Sequence, residues 1–126
     1  MDNNPRSAIW LRIAVVYFSV GVLIGVGMGA SGDHTLAPAH AHVNLLGWVS
    51  MGLFALVAHA WPATTEGKLA TIHLWLYNLA LPVMLASLAA KLYGHHQFDP
   101  PLGIASTLVA LAALLFAIQV WRTVER

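Results

Sequence analysis

Two histidines separated by one alanine, His40 and His42, open a run of mostly apolar residues in the stretch "PAHAHVNLLGW" at 38–48. Neutral imidazole is a ligand for haem iron, copper and zinc. Successive residues of a regular helix turn by about 100°, so these two rings point about 200° apart. From one regular helix they cannot grip one small ion together. They can serve two sites on opposite sides, or one of them can lie in an unwound turn. Asn44 follows His40 by four residues and shares its face. Its amide can hydrogen-bond the ring or a ligand. The plainer alternative is that both rings cap the helix entrance in interfacial water.

The chain carries seven histidines against six lysines and arginines together. His95 and His96 are adjacent and can join an HxH pair in supplying three or four imidazoles to one copper or zinc. They can equally belong to a wet loop. His34 and Asp33 can add a further ligand or an outer carboxylate. His59 and His73 flank another short turn and are expected at similar depth. They can pair with each other, with Glu66 or with lipid phosphate, or hold a bis-imidazole haem. Tyr77 lies on the face of His73, and Asn78 sits near the middle of the same apolar run, where it needs a partner.

The elements that must position these residues are membrane helices. The chain has 126 residues, of which 59% are hydrophobic and 9% charged. Its mean hydropathy is +0.72. A soluble domain of this size cannot cover so much apolar surface. Four apolar runs, at about 8–30, 39–61, 69–93 and 102–121, each approach the ~20 residues that span a bilayer. Open sheets cannot span lipid, so an all-α, four-helix membrane bundle in one domain is expected. The connections "SGDHTLAP", "PATTEGK" and "GHHQFDPP" are short, which makes successive helices antiparallel neighbours.

Lysine and arginine set the orientation. Arg6, Arg12, Lys68, Arg122 and Arg126 fall on one side and Lys91 near the other, so both termini are expected in the cytoplasm, with the inner (plasma) membrane as the location. Trp10, Trp61, Trp75 and Trp121 lie near span ends, as interfacial aromatics do. The first run is longer than the core of a signal peptide ending at "GASG". His34, His40, His42, His95 and His96 then fall at the outer end, and His59 and His73 at the cytoplasmic end. Gly21, Gly25 and Gly29 form a doubled GxxxG stripe that lets another helix approach closely. Pro82 is expected to kink the third helix and free a carbonyl.

Several function classes are excluded. A net charge of +1 gives no electrostatic basis for nucleic-acid binding. Without cysteine there is no disulfide, thiolate metal site or iron–sulfur cluster. No nucleophile motif, phosphate loop or acidic ion pathway is present.

At "HAHVNLLGW" the sequence resembles subunit I of the haem–copper oxidase superfamily, which includes the nitric oxide reductases. There a membrane helix carries an HxH pair followed by an apolar run. One histidine ligates the high-spin haem and the other the low-spin haem, on opposite sides of the helix. The resemblance implies axial haem ligation by His40 and His42, and faintly a copper-site role for His95 and His96. It covers about ten residues closely. Subunit I is built from three four-helix arcs, whereas this chain has one arc, and the family's cross-linked His–Tyr copper motif is not evident. The implied function is a haem b protein in electron transfer or in small-gas or haem handling, rather than a full oxidase. Three copies assembling as three arcs would give a homotrimer. A copper or zinc binding or transport protein and a non-catalytic accessory subunit are the competing expectations. Cofactor contacts are expected from His40, His42, His73 and Asn44, and metal contacts from His42, His40, His95, His96 and His59.

Overall fold

The computed structural model describes residues 4–124, which form four long helices. Helix α1 is Pro5–Ser31. Helix α2 is the continuous rod Ala37–Ala60. Helix α3 is Gly67–Leu92 and α4 is Asp99–Thr123. Single turns at Pro62–Thr65 and His96–Phe98 lead into α3 and α4. All four helices are long and apolar enough to cross a membrane, consistent with a multi-pass membrane protein. Each of the four apolar runs read from the sequence lies on one of these helices.

Local chemistry sets the ends. Asn4 caps α1 by accepting a hydrogen bond from the Arg6 amide at 3.0 Å, and Pro5 fills the position where no amide is needed. Gly32 ends the helix at φ +71°, a left-handed cap that costs glycine little. Asp33 starts the following turn. The Thr35 hydroxyl (2.6 Å) and amide (2.9 Å) both donate to its carboxylate. Those hydrogen bonds, the hydroxyl's first, hold the carboxyl below its usual range. Asp33 is therefore a turn former, and His34 beside it is exposed.

The helices pair as two antiparallel hairpins, α1 with α2 and α3 with α4. Between α1 and α2 the glycine stripe works inside the chain. A Cβ on Gly21 would overlap the Asn44 amide, with Cγ at 2.9 Å, and one on Gly25 would press on His40 Cε1 at 3.1 Å. Gly29 faces open space. Tyr17 lies in the same way against Gly47 of α2. The close approach expected of the stripe is thus spent on α2 at Gly21 and Gly25.

The hairpins are joined at one end by aromatic rings. Trp10 of α1, Phe54 of α2, His73 and Tyr77 of α3 and Phe116 of α4 interlock, with neighbouring centroids 4.5–6.0 Å apart. Trp10 is accordingly buried, which corrects its expected place among the interfacial tryptophans; Trp61, Trp75 and Trp121 are exposed. Polar ties run across the same end. Arg6 Nη2 donates to Thr71 Oγ1 at 3.0 Å, Ser7 to the Ala55 carbonyl at 3.0 Å, and Gln119 Nε2 to the Glu66 carbonyl at 2.9 Å. Arg6, Arg12, Lys68 and Arg122 share this end, while Arg126 lies outside the described residues. Helix α3 runs unbroken through Pro82. Asn78 satisfies its amide on its own helix, donating to the Leu74 carbonyl at 2.8 Å.

Candidate functional site

Helix α2 is not regular where the histidines enter it. Ala37–His42 is α-helical, Val43–Val49 is a π-helix, and Ser50–Ala60 resumes the α form. A π segment widens the turn, and such segments cluster at functional sites. Here two side chains hold it. Ser50 Oγ donates to the Leu45 carbonyl at 2.7 Å. Tyr77, 1% exposed, donates from α3 to the Leu46 carbonyl at 2.8 Å. Gly47 lets Tyr17 of α1 sit directly on the widened turn.

The two rings of the HxH pair face opposite sides, as the helical angle requires. His40 is half-buried against α1, over Gly25. The Asn44 amide nitrogen lies 3.4 Å from its Nδ1 and 3.3 Å from its Nε2. Being equidistant, the amide sits over the ring edge rather than in line with either nitrogen. The expected Asn44–His40 contact is therefore present as a packed pair, closed off by α1.

His42 points to the other side. Its Nδ1 lies 2.7 Å from the Pro38 carbonyl. A carbonyl only accepts, so Nδ1 carries a proton, and in the neutral ring Nε2 is left with its lone pair. The residue lines a groove of about 490 Å³ between α2 and α4. Leu45, Leu46 and Phe54 form one wall, and Ser106, Val109 and Ala113 the other. Tyr77 and Met84 of α3 line it as well. Apart from His42, Ser50, Tyr77 and Ser106, the lining is apolar. Nothing in the sequence marks Met84, Ser50 or Ser106 as groove residues. Their small or apolar side chains carry no sign of the groove until α4 is packed beside α2.

The remaining histidines disperse. His95 and His96 are exposed beyond α3, and His96 Nδ1 faces Asp99 Oδ2 at 3.5 Å. Lys91 Nζ lies 3.4 Å from the other oxygen of Asp99. His59 is exposed at the end of α2, whereas His73 is 5% exposed inside the aromatic cluster, so the two sit in different surroundings. Among the described residues, no three histidine or carboxylate side chains lie close enough to hold one metal ion. The structure therefore does not gather His40, His42, His95 and His96 into one ligand set.

Compared with known proteins, the chain matches no family model, no curated protein and no solved structure.

Proposed function

We propose that the chain is a haem b-binding protein of the inner membrane, with both termini cytoplasmic, that serves electron transfer or small-gas or haem handling. The observation that carries this is His42. Its Nδ1–H is committed to the Pro38 carbonyl at 2.7 Å, and it lines an apolar groove of about 490 Å³. Histidines that bind metal commonly donate one ring N–H to a carbonyl, which fixes the tautomer and leaves the other nitrogen to the metal. The groove volume falls within the roughly 300–1,000 Å³ of small-molecule and cofactor sites. Few polar groups face it, which suits a large, mostly apolar macrocycle. The resemblance of "HAHVNLLGW" to the oxidase subunit supports the same assignment.

The residues fit the group unequally. His42 would hold the iron, and Leu45, Leu46, Val109 and Ala113 would supply apolar lining for the group. His40 is covered by α1 and packs against Asn44 instead. His73 adjoins a cavity of about 20 Å³, far too small for a macrocycle. When bound, haem supplies one-electron redox chemistry or a gas ligand position. The chain itself lines the group with mostly apolar side chains, fixes the imidazole tautomer and leaves one side of the groove open.

One histidine lines the groove, so a second protein ligand and the closing wall have a natural source in another copy. A homotrimer of three four-helix arcs is the assembly we propose. Light scattering corrected for detergent should give the mass of three chains, and the mass of a single chain would remove the trimer. Copper or zinc has less support, since the exposed His34, His95 and His96 are not gathered with the HxH pair. The direct test is a reduced-minus-oxidised absorption spectrum of the protein purified after haem supply. Sharp α and β bands are expected. A flat spectrum with stoichiometric copper or zinc would replace the proposal with metal handling, and a flat spectrum without metal would leave an accessory bundle.

A further inference from the structure

His73 is a second place where an imidazole lacks a partner, and its surroundings are of a different kind. Its Nε2 is buried and has no hydrogen-bond partner among the described residues. The ring is 95% enclosed, within reach of Trp10, Phe54, Phe116 and Tyr77, whose centroids lie 4.7–5.9 Å away. A buried polar nitrogen left unpaired is destabilising by about 1–3 kcal/mol, and native structures rarely keep one. A compensating group is therefore required, and the space for it is small.

His73 lines a cavity of about 20 Å³. A buried water needs roughly 10–15 Å³ on this measure and two to four polar partners. Three further polar side chains line the same cavity: Arg6, Thr64 and Thr65. Arg6 uses Nη2 on Thr71, which leaves the other N–H groups of its guanidinium. Thr64 is buried and gives its hydroxyl proton to the Trp61 carbonyl at 2.7 Å, so its oxygen remains an acceptor. With the His73 proton on Nδ1, the inventory suits one molecule that donates twice and accepts once.

We infer that His73, Thr64 and Arg6 form a binding site for a single internal water. Its two O–H groups donate to His73 Nε2 and Thr64 Oγ1, and its oxygen accepts from Arg6. The site joins three parts of the chain: α1 through Arg6, the turn at Pro62–Thr65 through Thr64, and α3 through His73. It pins the two hairpins together at the end opposite His42. None of its three polar partners, His73, Thr64 and Arg6, lines the groove, although Phe54 borders both.

The test is a water–protein rotating-frame Overhauser measurement on the full-length, isotope-labelled protein in nanodiscs. A cross-peak from long-lived water to the His73 ring protons is expected. Thr64→Val removes one partner while keeping the side-chain shape, and the cross-peak should disappear with the rest of the spectrum retained. His73→Phe fills the same position with an apolar ring and serves as the blank. A folded protein with no water cross-peak at His73, or one in which Thr64→Val leaves that peak intact, would overturn the site. So would a His73 nitrogen resonance displaced by added haem, since it would make the ring an iron ligand.

Discussion

His42→Ala should abolish the Soret band of the haem-supplied protein, while His40→Ala and His73→Ala keep it. The asymmetry comes from geometry. His42 is the histidine that lines the groove, and its tautomer is set by the Pro38 carbonyl at 2.7 Å. His40 lies over Gly25 on the side that α1 closes, and His73 is enclosed by four rings beside a cavity of about 20 Å³. Changes to outer partners of a metal ligand already cost about 10–100-fold in affinity, so loss of the ligand itself should exceed that. His40→Ala should act only indirectly, through Asn44, as a small band shift. Free imidazole gives a control for folding. The alanine leaves an imidazole-sized gap at the groove, and added imidazole should restore the band in His42→Ala. If instead His40→Ala removes the band and His42→Ala keeps it, the groove is not the site. A band that survives all three substitutions would place the iron elsewhere in the chain.

How far the sequence leads can be read from particular residues. The four helices were legible because lipid demands about 20 apolar residues per crossing, and polar turns interrupt the runs. The opposite orientation of His40 and His42 was also legible, since both lie in the α-helical turns before residue 43, where 100° per residue holds. The π segment at Val43–Val49 was not. Its residues, VNLLGWV, carry no signal that separates a π turn from an α turn, and the widening goes with Tyr77 and Ser50 reaching the Leu46 and Leu45 carbonyls. Trp10 illustrates the same limit. An indole near a span end suits an interface by its chemistry, yet α3 and α4 bring His73 and Phe116 to its side of the bundle, and burial wins. The burial of His73 follows from that convergence too. Spacing placed it near His59 at the turn, but could not tell that one ring faces inward and the other outward. The glycine stripe was legible as a packing surface, and its partner was not. Gly21 and Gly25 receive Asn44 and His40 of the same chain, while Gly29 faces open space.

Gly47→Ala carries the second large expected effect, and it tests whether the π segment is held from α1. Gly47 is buried inside that segment, and the new methyl would sit 2.6 Å from Tyr17 Cβ and against Tyr17 Cγ. Real Cβ atoms do not approach so closely. The obstacle is the root of the tyrosine side chain, which cannot swing aside as a flexible tip could. Either α1 moves outward or the π turn rewinds. Overpacking of this sort typically destabilises by about 1–3 kcal/mol. Gly47→Ala should therefore lower the midpoint of thermal unfolding in detergent markedly. Gly52→Ala provides the matched control on the same helix, because a Cβ there meets nothing within 4 Å. On a helix interior alanine is intrinsically better than glycine by about 1 kcal/mol, so Gly52→Ala should be neutral or stabilising. The combination Gly47→Ala with Tyr17→Ala should recover part of the loss, since it removes the atoms beyond Cβ that the new methyl meets. The same substitution should disturb the haem spectrum through the turn that carries Leu45 and Leu46 into the groove wall, even though Gly47 itself does not line it. A Gly47→Ala protein as stable as wild type would mean that Tyr17 does not press on the π turn and that α1 sits farther from α2.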